Sequence, residues 1–120
     1  MEVQIHRFEG ALRSFKVSLA QKKNEFIRDS VIRRFGFVVT SGLSAGREKT
    51  VTFSQSPRTV VREMAADGLI SDPKVWFDLI EARNLSSHTY KEDLAEKVYR
   101  VAKESVGEFE TFLRTLTSRA

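Results

Sequence analysis

Residues 89–116 read TYKEDLAEKVYRVAKESVGEFETFLRTL, and this stretch decides the fold. Leu94, Val98, Val101, Ala102, Phe109, Phe112, Leu113 and Leu116 recur mostly at helical spacings, which gathers them into an apolar stripe along one helix. Thr89-Tyr90-Lys91-Glu92 has the form of a capping box, in which Thr89 satisfies an N–H near Glu92 and Glu92 reaches back. At 1.5 Å per residue the predicted helix is on the order of 40 Å long. Only helices of comparable length can cover such a stripe. The expected fold is therefore all-α, an antiparallel up-and-down four-helix bundle with one or two short extra helices.

Upstream patterning supplies the partners. Ile5, Phe8, Leu12, Phe15 and Leu19 predict a first helix from about Val3 to Lys22. Asn24 is placed to cap a second helix carrying Phe26, Ile27, Val31, Phe35 and Val38, expected to run from Glu25 to about Arg47. Its weak part is Gly36–Gly46, where three glycines each cost up to about 1 kcal/mol relative to alanine. Packing rather than propensity must hold it, and Val51-Thr52-Phe53 also fits a short extended piece. Ser56-Pro57 and Asp72-Pro73 each read as an N-cap followed by the first helical residue. The helix after Ser56 should bury Val60, Val61 and Met64 and end near Asp67-Gly68. The helix after Asp72 should turn Val75, Trp76, Leu79 and Ile80 inward. The phenylalanines Phe8, Phe15, Phe26, Phe35, Phe37, Phe109 and Phe112 are read as core, and His6 as a surface residue.

Composition sets the limits of function. A chain of 120 residues is expected to form one domain, residues 1–120, with a core of its own. The absence of cysteine excludes disulfides, thiolate catalysis and cysteine metal sites. His6 and His88 lie far apart in sequence with no HxxxH or HExxH spacing, so neither a metal site nor a cofactor is expected. No apolar run approaches the roughly 20 residues that span a bilayer, and the start lacks a signal-peptide core, so the expected location is cytoplasmic. A net charge of +4 is compatible with RNA or nucleotide phosphate, and equally with a solvated surface.

Chemistry concentrates in Arg83-Asn84-Leu85-Ser86-Ser87-His88-Thr89-Tyr90, expected between the end of one helix and the start of the next. Histidine exchanges protons near neutral pH, and the arginine fork matches two phosphate oxygens. Asn84 could orient a phosphate or the imidazole, and the Tyr90 hydroxyl could bond a phosphate or accept a nucleotidyl group. Metal-free RNA cleavage needs such a set. An ordinary helix-connecting turn carries the same residue types, and Tyr90 packing on Trp76 would account for it as well. Arg28, Arg33 and Arg34 could add a basic track for RNA or phosphate, although Arg33 and Arg34 point in different directions on a helix. No GxxxxGK[ST] loop or paired-aspartate transferase signature is present, so the chain is not expected to transfer nucleotides itself.

Arg83-x4-His88-x-Tyr90, with Asn84 after the arginine, resembles the Arg-x4–6-His motif of HEPN-domain proteins. The nearer resemblance is to the nucleotidyltransferase substrate-binding proteins, which include HepT-like toxins. Residues 25–35, 56–63 and 68–70 carry the same likeness, and order and spacing agree from about Phe8 to Leu116. The resemblance implies a helical bundle that forms a homodimer with two motifs facing a shared cleft. It also implies a minimal nucleotidyltransferase as partner, in a toxin–antitoxin-like pair. On this reading the chain is a metal-independent ribonuclease toxin with Arg83 and His88 catalytic, Asn84 supporting and Tyr90 the AMP acceptor. The alternative is a non-catalytic nucleotide- or substrate-binding subunit of a nucleotidyltransferase complex. The sequence departs from its relatives after Arg34-Phe35, where Gly36 stands in place of a usual acidic residue.

Overall fold

The computed structural model describes residues 3–54, 56–89 and 91–119. Among these, six α-helices form and no strand does: α1 (Val3–Leu19), α2 (Glu25–Thr50), α3 (Pro57–Ala66), α4 (Pro73–Leu85), α5 (Glu92–Glu104) and α6 (Val106–Ser118). A 3₁₀ turn, Ser86–His88, joins α4 to the segment before α5. The expected caps form. Asn24 Oδ1 accepts from the Ile27 N–H at 2.8 Å, Asp72 Oδ1 from the Lys74 N–H at 2.9 Å, and Ser56 Oγ from the Thr59 N–H at 3.5 Å. Pro57 and Pro73 open their helices, where a missing N–H costs nothing. Gly68 follows α3 at φ 75°, as a left-handed terminator requires.

The backbone of the bundle is α2. Its 26 residues, about 39 Å long at 1.5 Å per residue, match the 39 Å long axis of the molecule. Phe8 and Phe15 of α1, Phe35 of α2, Trp76 of α4 and Phe109 and Phe112 of α6 are all buried in one cluster. Their rings meet at centroid separations from 5.0 Å (Trp76–Phe112) to 6.2 Å (Phe15–Phe35), mostly edge to face. Phe8 meets Phe112 and Phe15 meets Phe109, so α1 and α6 run antiparallel.

The glycines of α2 explain its poor propensity. A Cβ on Gly42 would lie 3.0 Å from Trp76 and 3.2 Å from Phe8, and one on Gly46 would lie 2.4 Å from the Met64 sulfur. Both positions are places where side chains of neighbouring helices press against the α2 backbone. Packing therefore carries the helix through this stretch, to Thr50 rather than Arg47. Val51 then ends it in the left-handed region at φ 55°, and residues 52–54 form no strand.

Four expectations are corrected. The first helix ends at Leu19, short of Lys22. The long last helix is two, because Ser105 bonds back to the Ala102 carbonyl through both its N–H (3.1 Å) and its hydroxyl (2.6 Å), breaking the ladder just before Gly107. The capping box does not form: Thr89 Oγ1 donates to the Ser86 carbonyl at 3.1 Å, and Glu92 turns to Arg28 instead. Helix α5 starts at Glu92 with no side-chain cap. Lastly, Phe26 and Phe37 are surface residues, 82% and 55% exposed. They lie eleven positions apart, three turns along one face of α2 that no other helix covers.

Candidate functional site

Helix α4 presents the motif, and its helical phase divides it. Arg83, Ser86 and Thr89, spaced by three, face α2. With Asp29, Ile32, Arg33, Gly36, Phe37 and Thr40 they line an open groove of about 390 Å³. Arg83 is half-buried, and its Nη1 donates to Thr40 Oγ1 at 3.4 Å. Gly36 lies beside it, the position of a Cβ there being 4.0 Å from Arg83 Cγ, an ordinary van der Waals distance. Arg33 crosses the rim, its guanidinium carbon 5.9 Å from the Phe37 ring centroid. Two guanidinium groups, three hydroxyls and one aromatic ring thus border a single hollow, with the Asp29 carboxylate among them. Such a set suits a phosphorylated ligand with a flat base.

Asn84 and His88 are exposed and are not among the residues that line this groove. The turn that carries them is tightly bonded: Ser86 Oγ donates to the Arg83 carbonyl at 2.5 Å and Ser87 Oγ to the Asn84 carbonyl at 3.0 Å. The Lys91 N–H closes on the His88 carbonyl at 3.3 Å. Tyr90 lies outside the described residues.

The three arginines of the expected basic track have different surroundings. Arg28 is only 7% exposed, and its Nη1 bonds Glu92 at 2.5 Å and Glu96 at 3.0 Å, with Asp29 3.4 Å from Nε. Hydrogen bonds to Glu92 and then Glu96 hold its charged form more firmly than usual. It ties α2 to α5. Arg34 bonds Ser14 Oγ at 2.9 Å and also Ser30, linking α2 to α1. Arg33 alone of the three stands at the groove beside Arg83.

Thr40, Phe37 and Asp29 were not expected at the site. The signal that points to them is the interval of three and four through Asp29, Arg33, Gly36, Phe37 and Thr40, a stripe of α2 in which Ile32 is the one large aliphatic residue. Among the described residues no helix is long and apolar enough to cross a membrane.

The family model described as nucleotidyltransferase substrate binding protein like matches residues 3–118. A crystal structure from Thermus thermophilus is similar, with a TM-score of 0.75 and 25% identity over 93% of this chain and 97% of that one. A Haemophilus influenzae protein, described as revealing the fold of a substrate binding domain of a nucleotidyltransferase, superposes with a TM-score of 0.83. It is 20% identical over 94% of this chain and 98% of its own. No curated protein matches the chain.

Proposed function

Because the chain belongs to the nucleotidyltransferase substrate binding protein-like family, we propose that it is the substrate-binding subunit of a nucleotidyltransferase complex. It holds a nucleotide or nucleic-acid substrate for a separate transferring chain and associates with that chain. The family match over residues 3–118 carries this reading. The groove between α2 and α4 supports it, because Arg33 and Arg83 offer paired cationic forks and Phe37 a ring face on one rim. In this role Arg83 anchors a phosphate, the Thr40 hydroxyl that accepts from Arg83 donates its own proton to it, and no bond is broken on this chain.

Size-exclusion chromatography and calorimetry with the nucleotidyltransferase encoded in the same genome, with and without ATP, test the association. Gly36→Glu, which sets a carboxylate beside Arg83 in the groove, should weaken nucleotide-dependent binding at least tenfold while the helix content holds. No association with wild type, or full nucleotide dependence in Gly36→Glu, would refute the reading.

A second reading starts from one observation: Arg83 lies in the last turn of α4 and His88 closes the 3₁₀ turn that follows it, at one helix junction, with His88 exposed. In it the chain is a cytoplasmic HEPN-type ribonuclease toxin acting as a homodimer. His88 takes or returns the proton of a 2′-hydroxyl, Arg83 neutralises the crowded phosphorus, Asn84 supports them, and Tyr90 accepts AMP from the partner. Cleavage of RNA in EDTA by wild type but not by His88→Ala or Arg83→Ala would establish it. Equal inertness of all three would exclude it. Mass spectrometry after incubation with the partner and ATP tests whether Tyr90 gains AMP.

A further inference from the structure

The stretch Ser56–Glu63 is among those that carry the family likeness, yet the groove uses none of it. Its two arginines, Arg58 and Arg62, are one turn apart on α3, and both lie over the same ring. The guanidinium carbons sit 4.9 Å and 5.5 Å from the centroid of Phe77 on α4. Both arginines are exposed, and Phe77 is half-buried. Neither makes an ion pair or hydrogen bond among the described residues. The carboxylate that follows Phe77, Asp78, is engaged by Lys74 Nζ at 3.3 Å.

A ring contact uses the flat face of a guanidinium and leaves its edge of N–H donors open. The arrangement thus orders two cationic forks without occupying their donors. An arginine kept only for solubility has no need of a shared ring, and one kept only to fasten α3 to α4 has no need of a twin. Two ordered forks one helical turn apart match the oxygens of a phosphate or of adjacent phosphates. The chain carries a net charge of +4, so the long-range field does not oppose an anion here.

We propose that Arg58, Arg62 and Phe77 form a second anion site, a clamp for the phosphate of a nucleotide or polynucleotide. This rests on the reading of the chain as a nucleotide- or nucleic-acid-binding subunit, and it adds a subsite built by α3 and α4 outside the groove of Arg83. Glu81 stands on α4 between Phe77 and Asn84, so the clamp is a separate point of contact and not the end of a continuous basic track.

The test uses the full chain alone. Fluorescence anisotropy with a labelled single-stranded RNA 12-mer, and calorimetry with ATP, are run from 50 to 300 mM salt. The variants are Arg58→Gln/Arg62→Gln, Arg58→Lys/Arg62→Lys and Phe77→Leu. The glutamine pair should lose at least tenfold in affinity and lower the salt slope for RNA by about 0.7 per phosphate contact removed. The lysine pair should keep the slope but bind more weakly, because charge is preserved and the ordered fork is not. Phe77→Leu should weaken binding with the slope unchanged, a result that loss of charge cannot produce. Circular dichroism confirms that each variant is folded at the assay temperature. Binding to RNA but not ATP identifies a polynucleotide as the source of the phosphate, and binding to both a nucleotide. Wild-type affinity in the folded glutamine pair, or no binding of either ligand by wild type, overturns the proposal. Since no partner chain is present, failure of association with a nucleotidyltransferase leaves this result standing, and the reverse holds too.

Discussion

Replacing glycine by alanine inside a helix should stabilise by up to about 1 kcal/mol on propensity alone. The glycines of this bundle are expected to split by sign. Gly10 lies in the middle of α1 with nothing within 4 Å of the position of a Cβ, so Gly10→Ala should stabilise by about 0.5–1 kcal/mol. At Gly42 the new methyl would lie 3.0 Å from Trp76 Cη2 and 3.2 Å from Phe8 Cε1. Both rings are fully buried and held by Phe109 and Phe112, so neither can retreat. Overpacking of this kind costs about 1–3 kcal/mol. Set against the propensity gain of up to about 1 kcal/mol, Gly42→Ala should destabilise by up to about 2 kcal/mol, or as much as roughly 8 °C at the thermal midpoint. At Gly46 the approach is closer, 2.4 Å and 2.8 Å to Met64 Sδ and Cγ, but a methionine can swing aside. Gly46→Ala should therefore cost less than its distance suggests, and adding it to Met64→Ala should cost nothing further or stabilise. Urea titration followed by Trp76 fluorescence reads all of these variants. If Gly42→Ala raises the midpoint as Gly10→Ala does, close helix contact is not why glycine stands there.

Three further outcomes follow from single contacts. Val51 ends α2 in the left-handed region while 71% exposed; Val51→Gly should raise stability by about 1 kcal/mol in thermal melts, because a branched residue costs about 1–2 there. The buried indole of Trp76 donates to Glu108 Oε2 at 3.0 Å. Glu108→Ala should lose about 1–2 kcal/mol in urea by leaving that N–H unpaired, and Glu108→Gln should recover most of it. The Glu96 carboxyl is held below its ordinary 4.5 by hydrogen bonds from Lys23 and then Arg28, and Glu110 by Lys16. A depressed folded value gives stability that is present above about pH 4.5 and lost as pH falls through the folded value. The urea midpoint should thus drop on acidification below pH 4.5, and less so in Glu96→Gln.

Much of the core was legible because burial follows local periodicity. Ile5, Phe8, Leu12 and Phe15 fall on one face whatever the neighbours do, and the proline-led helix starts obey rules confined to a few residues. The misreadings share a different cause. Glu92 looked like the far end of a capping box because its spacing from Thr89 suits one. The partner it takes, Arg28, is 64 positions away and offers charge. Gly42 and Gly46 looked like weak points because propensity is local, whereas the contacts that select them come from Trp76, Phe8 and Met64. Phe26 and Phe37 looked like core because hydrophobicity does not say which faces a long central helix leaves uncovered. At the site, Arg83 could be read from the motif. Its groove could not, because that depends on Gly36 and Thr40 of another helix.

The spacing of the motif itself constrains any chemistry shared by Arg83 and His88. At 3.6 residues per turn, a residue five positions on is rotated by about 140° around the helix axis, and the 3₁₀ turn at Ser86–His88 tightens the rotation further. The motif arginine accordingly faces the α2 groove, whose lining includes Ser86 and Thr89 and not His88. If the ribonuclease reading holds, one phosphate meets both groups most directly when the two come from different copies across a twofold axis. Mixing decides it. Arg83→Ala and His88→Ala chains are each expected to be inactive, whereas co-refolded chains would rebuild one intact composite site in each mixed dimer, restoring about a quarter of wild-type cleavage for random pairing. If mixing restores nothing while wild type cleaves, guanidinium and imidazole act within one chain and the groove must rearrange to bring them together.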